Sequence, residues 1–204
     1  MIADRLIHIV DDEESVRRSI GFMLKTSGYQ VQQWPSGVAF LKEVRNVEEG
    51  CILLDIRMPE MDGLEVQQEL NQRGVTLPVI VLTGHGDVTI AVKAMRGGAV
   101  DFLEKPFEAE TLLASIDSAF ARLNNAHSGV ARASDAKVML AALSAREREV
   151  LDGLVQGLPN KTIAYDLGIS PRTVEVHRAN VMSKLNARSL SDALRIAFAA
   201  ELAD

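Results

Sequence analysis

The chain contains 204 residues, of which 47% are hydrophobic and 25% charged, and its formal net charge at pH 7 is −6. Such a composition is typical of a soluble globular protein with one large core or two small ones. The negative charge argues against a chain that binds nucleic acid or anionic membranes over its whole surface. The single cysteine cannot form an intramolecular disulfide bond, and the apolar run LIHIV is too short for a signal sequence or a membrane span. We therefore expect a cytoplasmic protein with no membrane partner.

Charge is divided unevenly along the chain. Residues 1–125 carry 12 basic and 19 acidic side chains, whereas residues 126–204 carry 10 and 9. Within 160–188, five basic side chains stand against two acidic ones. Because the two halves differ in electrostatic character, the sequence predicts two domains.

Short apolar runs alternate with longer amphipathic stretches through the first half of the chain. Runs rich in β-branched residues, such as PVIVL, are typical of strands that are buried on both faces of a parallel sheet, and such a sheet needs crossover helices. We therefore predict an α/β domain with a five-stranded, doubly wound parallel sheet. The predicted strands are Leu6–Val10, Gln30–Trp34, Cys51–Asp55, Pro78–Thr83 and Val100–Leu103, and the predicted helices are Ser15–Ser27, Ser36–Val44, Gly63–Asn71, Val88–Arg96 and Glu108–Leu123.

Polar side chains stand at the carboxyl ends of the predicted strands, where such sheets bind ligands. They are Asp11 and Asp12 after the first strand, Asp55 at the end of the third, Thr83 at the end of the fourth and Lys105 after the fifth. Three carboxylates at one edge repel one another unless a cation lies among them, and oxygen ligands suit Mg²⁺. A divalent ion would keep Asp55 ionised and able to attack phosphorus, while a lysine and a hydroxyl steady the phosphoryl oxygens. Each residue alone also fits a cap, a turn or a solvated loop, so the prediction depends on the whole set.

The second half of the chain predicts helices throughout, which makes it an all-α domain of four helices. Ser144 and Glu147 have the spacing of a capping box at the start of the first helix. Asn160 is expected to cap the second helix, which Gly168 ends, and Ser170 is expected to cap the third. Two short helices joined by a tight turn form a helix-turn-helix, whose second helix enters the major groove of DNA.

The third helix of this half is therefore the predicted recognition helix. Val174, Val181 and Leu185 form an apolar stripe for the core. Cations on the other faces can contact phosphates, Glu175 can accept from cytosine N4, and Val176 can meet a thymine methyl. The residues left for these faces are Arg172, Thr173, Glu175, Val176, Arg178, Asn180 and Lys184.

Four spaced segments, IVDDEE, LLDIRMPEMDG, VLTGHGD and DFLEKPF, resemble in order the receiver domain of two-component response regulators. The resemblance covers about residues 4–123 and implies a flavodoxin-like fold. It implies that Asp55 is the phospho-acceptor. It also implies that Mg²⁺ is held by Asp11, Asp12, Asp55 and the backbone carbonyl of Arg57.

The same resemblance assigns roles to residues after the fourth and fifth strands. It implies that Thr83 and Lys105 contact the phosphoryl group, and that Phe102 swings inward when Thr83 engages that group. It further implies a cis peptide bond between Lys105 and Pro106.

The segment from LSAREREVL to SKLNARS is similar to the DNA-binding domain of the LuxR and NarL group. The chain as a whole resembles response regulators of the NarL/FixJ group, especially its FixJ-type activators. The resemblance implies that Lys161 and His177 lie at the DNA backbone, that Glu175 and Val176 lie nearer the bases, and that the last helix supports dimerisation. The predicted domains are 1–123 (receiver), 124–139 (linker, either a loop or an extension of the last receiver helix) and 140–204 (helix-turn-helix).

These expectations combine into a phosphorylation-activated transcriptional regulator. A sensor histidine kinase phosphorylates Asp55, and the surface around Val92, Arg96 and Asp101 then forms a homodimer or releases the DNA-binding domain onto promoter DNA, where RNA polymerase is a further partner. One alternative is a constitutive DNA-binding regulator with a non-signalling receiver. A second is an aspartyl-phosphate hydrolase, which the sequence disfavours because Arg57 stands where such enzymes carry a second aspartate. We therefore expect the chain not to be an enzyme.

Overall fold

The computed structural model of the chain describes residues 5–84, 88–124 and 136–201. The contacts divide these residues into two compact units, one formed by 5–84 and 97–124 and the other by 88–96 and 136–201. Most of the predicted linker, residues 125–135, lies outside the described residues. Within the described ranges, no helix is both long enough and apolar enough to cross a membrane.

The first unit is built around five parallel strands, β1 (Leu6–Val10), β2 (Gln30–Trp34), β3 (Gly50–Asp55), β4 (Val79–Thr83) and β5 (Asp101–Glu104). They are arranged in the order β2-β1-β3-β4-β5. Every residue of β1, β3 and β4 is buried, whereas the edge strands β2 and β5 are partly exposed. The predicted parallel sheet is thus confirmed. The helices of the first half are α1 (Glu14–Thr26), α2 (Gly37–Glu43), α3 (Gly63–Gln72), α4 (Val88–Arg96) and α5 (Ala109–Asn124).

One apolar cluster joins the sheet to α1 and α5. Ile7 and Ile9 of β1 are fully buried against Leu24 of α1 and Ile116 of α5. Burying each such side chain contributes about 1.5–3 kcal/mol relative to leaving it in water. The strands are therefore fixed in one register, which matters for the side chains that follow their carboxyl ends.

His8 is a buried ionisable group in the middle of β1. Its side chain has no exposed surface, and its Nε2 donates to the carbonyl of Glu48 at 2.9 Å. The rings of Phe40 and Trp34 lie 5.7 and 6.3 Å away, centroid to centroid. Burial lowers the pKa of His8 below its ordinary value of 6.5, although the Glu48 carbonyl partly opposes this effect. The neutral imidazole is therefore the form that fits the fold.

The second unit contains α4 and the helices of the second half. The latter are α6 (Ala145–Val155), α7 (Asn160–Leu167), α8 (Pro171–Lys184) and α9 (Leu190–Glu201), which are the four helices that the sequence predicts for this half. Residues 136–141 are also helical, whereas the sequence left residues 124–139 open between a loop and an extension of the last receiver helix. Ala136 and Leu140 are buried there, one helical turn apart, so both lie on the same side of this short segment.

The capping residues of the helices in the second unit agree with the sequence predictions, with one exception. The capping box of Ser144 and the cap of Ser170 are both present, and Gly168 ends α7 in the left-handed conformation. The prediction that Asn160 caps α7 was wrong, because α7 begins at Asn160 and Pro159 occupies the capping position without a side-chain bond. The amide oxygen of Asn160 instead accepts a hydrogen bond from Arg178.

Two residues of the predicted dimerisation surface lie on α4, and one of them, Arg96, has partners inside this unit. Val92 is buried. The guanidinium of Arg96 lies 5.1 Å from the ring centroid of Phe198 and 3.4 Å from the carbonyl oxygen of Val155. These contacts account for the grouping of α4 with the helices of the second half.

Acid should destabilise the first unit through His8. Because its pKa is lowered, the unfolded chain binds more protons than the folded chain below pH 6.5, so stability falls as the pH drops through that value. The loss should not exceed about 1.4 kcal/mol per pH unit. The measurement is urea unfolding between pH 7 and 5, followed by the fluorescence of Trp34, the single tryptophan. In His8→Gln the pH dependence should flatten, and an unchanged dependence would contradict the assignment.

Candidate functional site

Three side chains from separate strands meet at the carboxyl edge of the sheet. β1 and β3 are paired neighbours, so Asp11 and Asp55 follow or end them at the same level. The ammonium of Lys105, which follows β5, lies 2.7 Å from Asp11 Oδ2 and 2.6 Å from Asp55 Oδ1. The peptide bond from Lys105 to Pro106 is cis, as the resemblance implied.

Backbone amides hold the other oxygen of each carboxylate. The N–H of Glu13 donates to Asp11 Oδ1 at 2.8 Å, and the N–H of Arg57 donates to Asp55 Oδ2 at 2.7 Å. A further donor, Nη1 of Arg17 on α1, binds the backbone carbonyl of Asp11 at 2.6 Å. Both carboxylates are therefore fixed in orientation by the loops that follow their strands. Neither Arg17 nor Glu13 was predicted from the sequence as a residue of this site.

The charges in this pocket do not balance. Asp11 and Asp55 are only 1% and 6% exposed, and a single ammonium serves both. Burial raises the pKa of Asp55 above its ordinary value, and repulsion from Asp11 adds to the effect. Burial disfavours the charged form of Lys105, but the two carboxylates more than offset this and raise the pKa of Lys105. An excess negative charge among oxygen ligands is the environment that suits a divalent cation.

Asp12 does not join the two buried carboxylates. Its side chain is exposed, next to the pocket in sequence. In the described part of the chain, no three His, Cys, Asp or Glu side chains are arranged to hold one ion. The structure thus brings together two of the three predicted carboxylate ligands, with Asp12 outside the cluster.

The two predicted switch residues lie on adjacent strands. Thr83 is buried at the end of β4, and its carbonyl accepts the N–H of Lys105 at 2.6 Å. Phe102 on β5 is half-buried. Asp101, predicted to lie on a dimerisation surface, is bound inside the unit, because its carboxylate accepts from the N–H of Phe102 and from Ser115 Oγ.

Gly63, the first residue of α3, lies directly against the end of β3, the strand that ends in Asp55. A Cβ at this position would lie 2.3 Å from the carbonyl oxygen of Asp55 and 3.0 Å from the Cα of Ile56. Only a glycine permits the start of α3 to approach the strand end so closely. The glycine of the MDG segment is visible in the sequence, but the need for a glycine there is seen only when α3 is placed against β3.

In the second unit, α8 presents one buried and one open face. Val174, Val181 and Leu185 are buried, which confirms the predicted apolar stripe. The exposed residues of α8 among the predicted set are Arg172, Glu175, Val176, Asn180 and Lys184, and Lys161 is exposed on α7. Two residues that were not predicted, Ala179 and Ser183, lie on the same open face.

Lys184 is engaged within the unit. Its Nζ lies 2.7 Å from Oε2 of Glu147, whose side chain is almost wholly buried and also closes the capping box of Ser144. The Lys184 ammonium and the Ser144 amide lower the pKa of Glu147 to about 2. Because its ammonium is paired with Glu147, Lys184 is less available to bind a phosphate than the count of basic residues in 160–188 implied.

Three further residues that were predicted to contact DNA are only half-exposed on α8. Arg178 is half-buried and bonds Asn160. Thr173 is half-buried, and its N–H donates to the capping oxygen of Ser170. His177 is half-buried with its Nδ1 turned inside, so only Nε2 of that ring can face outward.

Comparison with known families also divides the chain into two domains, but it places α4 with the first of them. The family described as response regulator receiver domain matches residues 7–117, and the family of bacterial regulatory proteins, luxR family, matches residues 141–197. The transcriptional regulatory protein FixJ of Rhizobium meliloti is 50% identical over 97% of this chain and 97% of its own length. The chain belongs to the FixJ-like response regulators. It therefore combines a receiver domain with a LuxR-type DNA-binding domain, and its architecture is consistent with a phosphorylation-activated transcriptional regulator.

Other relatives support this family. FixJ of Azorhizobium caulinodans is 50% identical over 97% of this chain and 93% of its own length. The tetrathionate response regulatory protein TtrR of Salmonella typhimurium is 42% identical over 93% of this chain and 90% of its own length. The crystal structure of full-length FixJ from B. japonicum has 43% identity and a TM-score of 0.59, covering 99% of this chain and all of that one. The relatives are transcriptional regulators, and receiver domains generally bind Mg²⁺ at the acidic pocket.

Gly63→Ala should destabilise the receiver domain. The added methyl group meets backbone atoms that cannot move without displacing Asp55, so we expect a loss of about 1–3 kcal/mol in the free energy of unfolding. Gly84→Ala is the matched control, because nothing lies within 4 Å of a Cβ there, and its effect should stay within about 0.5 kcal/mol. Both values come from urea unfolding followed by Trp34 fluorescence. Equal stabilities of the two variants would refute the steric account.

Lys184→Met should lower the thermal midpoint of the LuxR-type domain. Because the pKa of Glu147 is lowered to about 2, its ion pair stabilises the fold above pH 4.5 and is lost as the pH falls from 4.5 toward 2. The difference in midpoint between wild type and variant should therefore be largest near neutral pH and shrink between pH 4.5 and 3, as measured by circular dichroism. Lys161→Met, which removes an exposed lysine, should show almost no difference. A difference that does not vary with pH would contradict this role of the pair.

Proposed function

We propose that this chain is a transcriptional activator that is switched on when Asp55 accepts a phosphoryl group from a sensor histidine kinase. The observation that supports it is the buried contact of Lys105 with Asp11 and Asp55. Buried carboxylates that share one ammonium are costly unless the site has a use for them. Phosphoryl transfer is such a use.

In the transfer step, an oxygen of Asp55 attacks phosphorus in line with the bond to the donor nitrogen. The new P–O bond takes its electron pair from the carboxylate, and the electron pair of the broken P–N bond leaves with the donor histidine. Lys105 stays bound to Asp11 and turns its remaining N–H groups toward the phosphoryl oxygens. The N–H of Arg57 keeps the Asp55 carboxylate pointed at the incoming group.

Mg²⁺ is the cofactor we propose for this step. Asp11, Asp55, the carbonyl of Arg57 and Asp12, after a movement of its exposed side chain, would hold the ion. When bound, it supplies the positive charge that neutralises the excess of carboxylates and of phosphoryl oxygens.

The phosphorylated state acts by shifting an equilibrium between arrangements that already exist. The Thr83 hydroxyl turns toward the phosphoryl group, and Phe102, which is half-buried on the next strand, fills the space that this movement leaves. A preference of ~2–3 kcal/mol for the active arrangement changes its population roughly 30- to 150-fold. The result is a homodimer on a two-fold promoter site, with the last helix α9 supporting the contact.

DNA binding is assigned to the open face of α8 and the start of α7. Lys161 and Arg172 serve phosphates, with Nε2 of His177 as a further donor, while Glu175 and Val176 face the bases. Promoter DNA and RNA polymerase are the partners of an activator, and both place its action in the cytoplasm. Arg178, Thr173 and Lys184 have partners inside the domain and are not needed as direct contacts.

Replacing the acceptor provides the direct test. Asp55→Asn removes the nucleophilic oxygen, so the full chain with acetyl phosphate and Mg²⁺ should no longer gain the mass of one phosphoryl group, nor bind its promoter more tightly. Asp117→Asn is the control, because this exposed carboxylate pairs with Arg5 away from the pocket, and it should respond like wild type. Mass spectrometry and fluorescence anisotropy measure the two effects.

Each contrary result identifies an alternative. Tight promoter binding by unphosphorylated wild type indicates a constitutive regulator with a non-signalling receiver. Continued release of phosphate over many turnovers indicates a hydrolase. Phosphorylation of Asp55→Asn to the wild-type extent removes Asp55 from the mechanism.

A further inference from the structure

The recognition helix carries an arginine on its buried side. Successive residues of an α-helix turn by about 100°, so position 178 lies on the same side as Val174 and Val181, one turn beyond the first and one turn before the second. Both of those valines are buried. The open face, which holds Arg172 and Val176, lies on the opposite side of the helix. The stem of Arg178 therefore leaves α8 toward the other helices of the domain.

The guanidinium of Arg178 ends on the helix that precedes the turn. Its Nη1 donates to Oδ1 of Asn160 at 2.8 Å, across 18 residues of sequence. Asn160 is the first residue of α7, one position inside the cap at Pro159, and its amide oxygen accepts from the arginine. Burial lowers the pKa of Arg178, while Glu175 opposes the change, and the guanidinium remains protonated at any working pH. The result is a charge-assisted bond between the two helices of the helix-turn-helix.

This bond fixes the relation between two groups that must reach DNA together. Lys161 follows Asn160 directly and projects from the first turn of α7, whereas the base-facing residues project from α8. The bond from Arg178 to Asn160 therefore fixes the distance between Lys161 and the base-facing residues of α8. Phosphate contacts fix the register of a protein on the duplex, and base contacts work only in the correct register.

We propose that Arg178 is a positioning residue for sequence-specific DNA binding, acting through Asn160 rather than through contact with DNA. The proposal rests on the proposed function of the LuxR-type domain. Loss of the bond leaves the phosphate-binding cations in place but lets α7 and α8 move relative to each other. Binding to the preferred sequence weakens, and binding to unrelated DNA changes little.

The experiment uses the full chain treated with acetyl phosphate and Mg²⁺. The probes are a duplex selected from a random library by the wild-type chain and a scrambled duplex of the same composition. The variants are Arg178→Met, Arg178→Lys, Asn160→Ala, the double variant Arg178→Met with Asn160→Ala, and the control Lys161→Met. Fluorescence anisotropy gives Kd for each duplex at several salt concentrations, and circular dichroism gives the folded fraction.

Each single variant at 178 or 160 should weaken binding to the selected duplex about tenfold and change binding to the scrambled duplex by less than about threefold. The double variant should be no weaker than the singles, because all remove the same bond. Arg178→Lys should resemble Arg178→Met, because an ammonium on a flexible stem does not replace the planar fork. The salt dependence should not change, whereas Lys161→Met should reduce the slope by about 0.9 per bound chain.

Other results overturn the proposal. If Arg178→Met reduces the salt slope by about one while Arg178→Lys binds like wild type, Arg178 contacts a phosphate directly. If the effects of the two single variants multiply in the double variant, the residues act independently. Equal weakening on both duplexes, in step with the folded fraction, shows a role in folding alone. If the wild-type chain selects no sequence at all, the proposed function itself fails, and that outcome is distinct from the others.

Discussion

The ammonium of Lys105 between Asp11 and Asp55 is the interaction on which the receiver domain depends. Three strands far apart in sequence must end at the same level for one cation to reach two buried carboxylates, at 2.7 and 2.6 Å. Removing the cation would leave two like charges in a poorly solvated pocket, which is among the most costly changes a buried site can suffer. The strand register, the closeness of α3 at Gly63 and the amides of the following loops all serve to keep this arrangement in place.

Much of the fold follows from the sequence alone. Central strands such as VIVLT of β4 are continuous apolar runs because both faces are covered, and such runs have few other interpretations. Their ends agree with the structure to within a residue, although β5 was predicted at Val100–Leu103 and occupies Asp101–Glu104. The shift of the edge strand β5 depends on ladder bonds that the sequence does not display, whereas the other edge strand, β2, occupies Gln30–Trp34 as predicted. The carboxylates at strand ends were found because they occur together, not because any one of them is distinctive.

Partners of individual charges were harder to predict. The sequence left seven residues of the predicted recognition helix for DNA, three of them cations, yet two of these cations have partners inside the domain: Lys184 binds Glu147 and Arg178 binds Asn160. Both pairs join residues from different helices, so their distances are set by packing and not by spacing along the chain. Asn160 illustrates the same limit, since its position suits a helix cap by local rules and its amide serves a distant arginine instead. Asp12, exposed beside its buried neighbour, shows that adjacent identical residues can have different surroundings.

The division of α8 into two faces has a consequence for how such regulators diversify. Residues that hold the helix in place, including Val174 and Lys184, lie on the inner and lateral sides, while the outer side holds residues such as Val176 and Ala179 that support nothing else. Substitutions on that outer side carry almost no folding penalty, since surface changes of this kind usually alter stability by less than about 0.5 kcal/mol. On the proposed assignment of this outer side to DNA, a duplicated copy of the gene can acquire a new set of promoters by a few outward substitutions, while its inherited scaffold stays intact.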